Sequence, residues 1–203
     1  MQKESKTLVI AFMGVDGSGK STLIKELNTK LNKNYKKIKN LHLRPYLFLI
    51  DRRTVISNPH SEKTPKSKII SFLQILIWFF IYHFFFLINL NRKNQLIIFD
   101  RYAHDLLFDK IRYRFNLANK FTRFILNFFP KPHLWIILKA PIKLIEKRKK
   151  ELKTKELKRQ MKMYIKFSKK KKNTILLDTS TSIKKNISLI IKEMKSIVNS
   201  NFF

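Results

Sequence analysis

The three glycines of this 203-residue chain all lie between positions 14 and 19. They belong to the segment GVDGSGKST at 14–22, which fits the pattern G-x-x-x-x-G-K-S/T without a gap. Glycine is needed where a backbone adopts a positive φ or approaches a ligand closely, and this chain uses none elsewhere. The segment therefore predicts a loop whose conformation no other residue type could support.

The residues on either side of this loop favour a phosphate-binding site. Residues 7–13 (TLVIAFM) form a short apolar run typical of a strand, and residues 20–31 have leucines at helical spacing. In a strand–loop–helix unit, backbone N–H groups and the helix dipole attract phosphate oxygens. Lys20 is then expected to reach the β- and γ-phosphates of ATP, and the Ser21 hydroxyl to ligate Mg²⁺. The residues predicted to bind the nucleotide are Gly14, Val15, Asp16, Gly17, Ser18, Gly19, Lys20, Ser21 and Thr22.

The composition is consistent with one globular domain over residues 1–203. The chain is 44% hydrophobic and has no cysteine, so we expect no disulfide or thiol chemistry and a cytoplasmic location. Its 44 Lys and Arg outnumber 13 Asp and Glu, which gives a net charge of +31. The lysines are spread along a chain that is also rich in Asn, Ile and Phe, as A/T-rich coding would produce. A dedicated nucleic-acid function is therefore not favoured.

Five short apolar runs alternate with helical patterns along the chain. Such alternation predicts a parallel sheet covered by helices on both faces. The C-terminal segment 182–198 is predicted to be an amphipathic helix. We therefore expect an α/β protein with a three-layer P-loop NTPase fold and a five-stranded parallel sheet. The predicted strands are residues 7–13, 38–43, 95–99, 134–139 and 173–178.

Residues 69–90 form a segment with the length and apolar composition of a membrane-spanning helix. The segment lies between the glycine loop and the third predicted strand, so a membrane span would separate parts of one sheet. We interpret it as a helix buried by the core and by a second copy of the chain, with membrane contact as the less favoured alternative. Gln74, Trp78 and Tyr82 fall on one side of this helix, which we expect to lie near the substrate pocket.

A second group of polar residues follows the second and third predicted strands. Asp100 ends the run QLIIFD, where nucleotide-binding sheets place a carboxylate that acts as a base or holds magnesium-bound water. Arg101 follows directly and can bind a phosphate through two parallel hydrogen bonds. Arg44 lies just beyond the second strand, at the edge of the sheet where ligands of such folds bind. We expect these residues to face the same cleft as the glycine loop.

Together these motifs resemble the thymidylate kinase-like branch of the nucleoside monophosphate kinases, over nearly the whole chain. The resemblance implies a five-stranded parallel sheet, a mobile lid and ATP-dependent phosphorylation of a nucleoside 5′-monophosphate, often by a homodimer. It rests on the segments FMGVDGSGKST at 12–22, HLRP at 42–45, IIFDRY at 97–102 and PKPHLWIIL at 130–138, and on Arg148.

The same resemblance implies roles for individual residues. Asp16 would face the acceptor sugar, while Arg44 and Arg101 would face the acceptor phosphate. Asp100 would contact magnesium-bound water or the acceptor oxygen. Arg148 would face the donor nucleotide.

The lid is expected at residues 146–159, which are dense in positive charge. Because phosphoryl transfer depends on positioning and charge stabilisation, lid cations can stabilise the transferring group. Arg148 and Arg159 are the arginines of this segment, and its lysines could act as point charges. A solvated helix face is the alternative interpretation. The predicted catalytic residues are Lys20, Asp100, Arg101, Arg148 and Arg159.

The acceptor-binding part of the sequence departs from the family pattern. No arginine is present in residues 69–90, where thymidylate kinases carry one that contacts the thymine ring. Gln74 is the nearest polar substitute, and it joins Tyr102 as a predicted substrate-binding residue. We therefore predict a kinase acting most simply on dTMP, with another nucleotide, a sugar or a lipid intermediate as the alternative acceptor. A P-loop module that associates with nucleic acid or membrane and hydrolyses ATP slowly is the alternative of a different class.

Overall fold

The computed structural model describes residues 6–43, 64–149 and 152–200. These residues form five strands and eight helices. The strands are β1 (Leu8–Met13), β2 (Lys37–His42), β3 (Gln95–Asp100), β4 (Leu134–Lys139) and β5 (Thr174–Asp178). The helices are α1 (Lys20–Leu31), α2 (Lys68–Leu90), α3 (Asp105–Phe108), α4 (Lys110–Tyr113), α5 (Asn119–Asn127), α6 (Ile142–Arg148), α7 (Thr154–Lys170) and α8 (Ile183–Ser200).

All five strands are parallel and form one sheet in the order β2-β3-β1-β4-β5. β1 lies at the centre, with Ile10 opposite Ile98 of β3 and opposite Leu134 of β4. All its residues are buried, as expected for a parallel strand covered on both faces. The observed strands agree with the predicted ones to within one residue at each end. The predicted α/β architecture is therefore confirmed.

Alternate residues of the central strands contribute to two separate cores. Val9 and Ala11 belong to the core on one face, which also contains side chains of α2, α3, α5 and α7. Ile10 and Phe12 belong to the core on the other face, together with side chains of α1 and α8. The helices on the two faces complete the predicted three layers.

Helix α2 is apolar on all sides, but the described residues bury only one of them. Ser67 caps its N-terminus by accepting a hydrogen bond from the Ile70 N–H. Ile75, Trp78 and Tyr82 pack in the core. Within the described ranges α2 is the one helix long and apolar enough to cross a membrane. In its most apolar stretch of 18 residues, 28% is buried. The exposed side carries Leu73, Ile77, Phe80, Phe84 and Leu87.

The carboxyl ends of the parallel strands meet at one edge of the sheet, and this edge carries the glycine loop. β1 ends at Met13, and α1 begins at Lys20 directly after the loop. Arg101 follows β3, and its backbone N–H donates to the Phe12 carbonyl at 2.8 Å. The sheet therefore places the residues that follow β1 and β3 side by side.

Candidate active site

A cavity of ≈ 560 Å³ lies at this edge of the sheet. Its walls come from the glycine loop, the start of α1, the ends of β2 and β3, α4 and α6. The glycine loop and the Asp100–Arg101 pair therefore face one cavity. The lining residues are Asp16, Gly17, Gly19, Lys20, Ser21, Thr22, His42, Asp100, Arg101, Arg112, Arg148 and Lys149.

The glycine loop has backbone conformations and close contacts that only glycine allows. Gly17 has a φ of 79°, in the left-handed region that other residues rarely adopt. A Cβ atom on Gly17 would lie 3.2 Å from the Ile145 carbonyl oxygen, and one on Gly14 would lie 3.0 Å from the Leu138 carbonyl oxygen. Both positions need glycine because the backbone of a neighbouring segment packs directly against them.

Lys20 is a buried cation at the start of α1. Its Nζ donates to the carbonyl oxygens of Gly14 at 2.8 Å and Val15 at 2.9 Å, and lies 4.0 Å from the Asp16 carboxylate. Burial, together with the nearby charge of Arg101, lowers the pKa of Lys20 to about 8. The ammonium group of Lys20 therefore lies against the loop and titrates close to neutral pH.

Asp16 lies between two arginines. Arg101 Nη2 donates to Asp16 Oδ1 at 2.5 Å, and Arg112 Nη1 donates to Oδ2 at 2.5 Å. Burial acts to raise the pKa of Asp16, but the charges of Arg101, Lys20 and Arg112 together hold it well below its usual range. Asp16 is therefore ionised at neutral pH and joins the glycine loop to the end of β3 and to α4.

Arg101 is buried, and a second carboxylate also neutralises it. Its Nη1 donates to Asp105 Oδ2 at 2.6 Å, and the Tyr164 hydroxyl donates to Asp105 Oδ1 at 2.8 Å. The φ of Arg101 is 76°, which is uncommon for a residue other than glycine and is maintained by these surrounding bonds. The end of β3, α3 and α7 are thus joined through one charged network.

Asp100 and Ser21 line the same cavity. Asp100 Oδ1 is buried and has no hydrogen-bond partner in the part of the chain that the structure describes. Carboxylate, hydroxyl and phosphate oxygens are the ligands that Mg²⁺ prefers. The described residues contain no group of three or more His, Asp or Glu side chains that could hold a metal ion. Asp100 and Ser21 therefore offer this cavity a carboxylate and a hydroxyl oxygen of the kind that Mg²⁺ binds.

The two arginines of the predicted lid lie in different places. Arg148 ends α6 and lines the cavity, with guanidinium nitrogens 3.5 Å from the Gly17 carbonyl oxygen and 3.4 Å from that of Thr179. Arg159 lies in α7, where it donates to the Glu156 carboxylate at 2.7 and 2.6 Å. Arg159 is not among the lining residues. The structure therefore brings Arg148, and not Arg159, to the glycine loop.

Other predicted residues also lie away from the cavity lining. Tyr102 is buried in the aromatic core, where its hydroxyl donates to the Pro130 carbonyl at 2.6 Å. Gln74 accepts a hydrogen bond from Lys66 Nζ at 2.7 Å and does not line the cavity. Arg44 lies outside the described residues. The loop residues that are buried behind the lining ones are Gly14, Val15 and Ser18.

Three lining residues, His42, Arg112 and Lys149, are not among the site residues predicted from the sequence. His42 ends β2, and the strand-end argument that nominated Arg44 could have found it. Lys149 follows Arg148 in the charged segment and was considered only as a point charge in the lid. Arg112 lies in α4, a single turn whose position relative to the glycine loop no sequence pattern indicates.

Comparison with known proteins identifies the fold. No protein-family model and no protein of curated function matches the sequence. A thymidylate kinase structure from Candida albicans is 18% identical with a TM-score of 0.65, covering 96% of this chain and 93% of that chain. A thymidylate kinase structure from Ehrlichia chaffeensis is 14% identical with a TM-score of 0.59, covering 92% of this chain and 98% of that chain. The protein therefore has a thymidylate kinase-like fold, which is a P-loop NTPase fold of the nucleoside monophosphate kinase type.

Proposed function

We propose that the protein is an ATP-dependent phosphotransferase, most simply a nucleoside monophosphate kinase that converts dTMP to dTDP. The observation that carries the proposal is the single cavity in which a glycine loop with a buried lysine faces the Asp100–Arg101 pair. The thymidylate kinase-like fold supports the same class of reaction. Broad substrate specificity is ascribed to the Candida albicans enzyme, so other acceptors belong in the test.

The donor side of the proposed site is the glycine loop. Its N–H groups and the positive end of the α1 dipole attract phosphate oxygens, and Lys20 adds a charge. Arg148, beside Gly17, would contact the donor nucleotide. Ser21 and Asp100 would hold Mg²⁺, which when bound neutralises negative charge on the β- and γ-phosphates.

The acceptor side of the proposed site contains Arg101 and Arg112. Both guanidinium groups line the cavity, and planar guanidinium groups match the oxygens of a phosphate. Asp105 holds one nitrogen of Arg101, and the other, which donates to Asp16, would exchange that carboxylate for the acceptor phosphate. Asp16 offers a carboxylate to a sugar hydroxyl. Arg44 is proposed to join this side on the basis of the sequence resemblance.

Cations near the glycine loop would stabilise the transferring phosphoryl group. Lys20, Arg148 and Lys149 line the cavity and supply three such charges. Arg159 would have to leave Glu156, Met163 and the Phe108 carbonyl to join them. Its role as a catalytic residue is therefore proposed on the basis of the sequence resemblance.

An ADP-release assay across nucleoside monophosphates, sugars and lipid alcohols tests the proposal. We expect dTMP to give the highest turnover and Lys20→Ala to lower it by roughly a hundredfold or more, because a charge at the γ-phosphate is lost. Lys25→Ala is the matched control, since Lys25 is exposed in the same helix and does not line the cavity. It should leave turnover nearly unchanged.

The other outcomes of this assay separate the alternatives. Stimulation by a sugar or lipid alcohol, with none by any monophosphate, would reject the nucleotide kinase and assign that acceptor. Slow ATP hydrolysis without any acceptor, combined with steeply salt-dependent DNA binding, would favour a P-loop nucleic-acid module.

The affinity for ATP is expected to fall as the pH rises above 8. The pKa of Lys20 is lowered to about 8, so its side chain is an ammonium below this pH and a neutral amine above it. Only the ammonium attracts phosphate, so above the pKa Lys20 must take up a proton when ATP binds. The dissociation constant for ATP should then rise by about tenfold per pH unit. Calorimetric titration with ATP across this pH range measures the effect. Lys20→Ala should bind ATP weakly at every pH and lack this pH dependence. A wild-type affinity that stays constant above pH 8 would contradict the role of Lys20 in phosphate binding.

We further propose that the exposed side of α2 joins two copies of the chain. Leu73, Ile77, Phe80, Phe84 and Leu87 are each 51% to 70% exposed. Their spacing of four, three, four and three residues is the heptad spacing by which one helix packs against another. Lys68 is the only Lys, Arg, Asp or Glu of α2, so two copies can meet here without direct charge repulsion.

Phe80→Glu is expected to convert the dimer into a monomer, because two buried carboxylates would face each other at the interface. Sedimentation analysis of the two proteins measures the change. Leu189→Glu is the control, since Leu189 is an exposed apolar residue of α8 on the other face of the sheet. A wild-type monomer that sediments with liposomes, and loses this property in Phe80→Glu, would instead assign the face to membrane contact.

A further inference from the structure

A second cavity, of ≈ 270 Å³, lies among α3, α5 and α7. These helices pack on the same face of the sheet as α2. The cavity shares no lining residue with the candidate active site. It is therefore a separate concave site on the molecule.

The walls of this second cavity are largely apolar. Leu107 and Phe108 come from α3, Leu126 from α5, and Met163 and Phe167 from α7. Small-molecule sites are typically of this kind, with an apolar lining and a few polar groups that orient the ligand. The cavity suits an acyl chain or an aromatic ring.

Cations surround these apolar walls. Arg123 of α5, Lys166 and Lys170 of α7, and Lys171 also line the cavity. No Asp or Glu is found in its lining among the described residues. Positive charges that converge without a carboxylate attract a negatively charged group.

His104 adds a polar group to the same cavity. Its ring is buried, with centroids 5.0 Å from Trp135 and 5.3 Å from Phe167, and Nδ1 has no hydrogen-bond partner in the described part of the chain. Burial lowers the pKa of His104 to about 3, so the ring is neutral. A neutral imidazole has one donor and one acceptor nitrogen, and a buried polar atom is ordinarily satisfied by a partner. His104 therefore adds no charge to the cavity, and the cations are the only charged groups among its described lining residues.

We propose that this cavity binds an amphipathic anion, with its acyl chain or ring against Phe108 and Phe167 and its phosphate or carboxylate among Arg123, Lys166 and Lys170. The proposal combines the apolar walls, the four cations and the lack of a carboxylate among the described lining residues. It is independent of the phosphotransferase assignment because the two cavities have no residue in common.

Calorimetric titration of the full chain with four probes tests this proposal: octyl phosphate, octanoate, octanol and inorganic phosphate. We expect saturable one-to-one binding of octyl phosphate or octanoate, roughly tenfold or more tighter than octanol or inorganic phosphate. The stronger of the two anions identifies the head group. Absence of saturable binding by both, or equal binding of octanol, would overturn the proposal.

Matched variants locate the binding. Lys170→Gln should weaken binding of the anion roughly threefold to tenfold. Lys169→Gln removes an equal charge from a residue outside the cavity lining and should leave the affinity unchanged. Asn127→Phe narrows the cavity from an exposed position at the end of α5 and should abolish binding with little change in thermal unfolding. Binding that survives Asn127→Phe but is lost in Phe84→Glu would place the anion on α2 and overturn the proposal.

Discussion

Replacing Asp100 with asparagine is expected to lower kcat by roughly a hundredfold or more while ATP still binds. Asp100 Oδ1 lies buried at the end of β3 and makes no hydrogen bond within the described residues. Asparagine keeps the shape of the side chain but removes its charge, so it can neither hold magnesium-bound water as firmly nor accept a proton. Because Oδ1 makes no hydrogen bond that the substitution would break, the free energy of unfolding should change little.

Asp178→Asn is the matched control for this substitution. Asp178 ends β5 at the same edge of the sheet, forms an ion pair with Lys139 at 3.4 Å and does not line the cavity. ADP release with dTMP as acceptor gives kcat, and calorimetry gives the dissociation constant for ATP. The control should turn over like the wild type. Equal turnover in Asp100→Asn and the wild type would remove Asp100 from the catalytic machinery.

Replacing Arg101 with methionine is expected to lower the free energy of unfolding by about 3–5 kcal/mol, which is typical when one partner of a buried ion pair is removed. Arg101 is 1% exposed and donates to Asp16 and Asp105, and Asp105 is completely buried. Without the guanidinium group, the buried Asp105 carboxylate loses its cation, whereas Asp16 keeps its bond to Arg112. Arg101→Lys should also destabilise the protein, because one ammonium cannot reproduce the two-directional contacts of the planar group.

Urea unfolding of these variants measures the change in stability. Arg92→Met is the control, since Arg92 is exposed and its loss should alter the free energy of unfolding by about 0.5 kcal/mol or less. Adding Asp105→Leu to Arg101→Met should restore part of the loss, because the uncompensated buried charge is then removed. Wild-type stability in Arg101→Met would show that the network contributes nothing to the fold.

The sheet and its loop could be predicted from sequence because each signal is local. The apolar run before Gly14 and the helical spacing after Lys20 define one strand–loop–helix unit. Parallel strands then require their carboxyl ends to meet at one edge, which is why Asp100 and Arg101 face the loop. The hydrophobic periodicity of the sequence and the parallel direction of the strands were sufficient to predict where these residues lie.

The rest of the site depends on contacts that no local pattern contains. Arg112 binds Asp16 although 96 positions separate them in the chain. Tyr102 adjoins Arg101, yet it lies in the aromatic core while Arg101 lines the cavity. The positive φ of Arg101 redirects the chain at this point, and residue type alone does not predict it for an arginine.

The Arg101 network also limits how this sequence can change over evolutionary time. Asp16, the Arg101–Asp105 segment and Tyr164 come from three separate parts of the chain, yet a change in any one of these side chains leaves a buried polar group of another unsatisfied. They should therefore be inherited as a set or replaced as a set, in several steps that each pass through a less stable protein. The lysine-rich composition of the chain does not extend to this position, because one ammonium group cannot donate to Asp16 and Asp105 as this guanidinium group does.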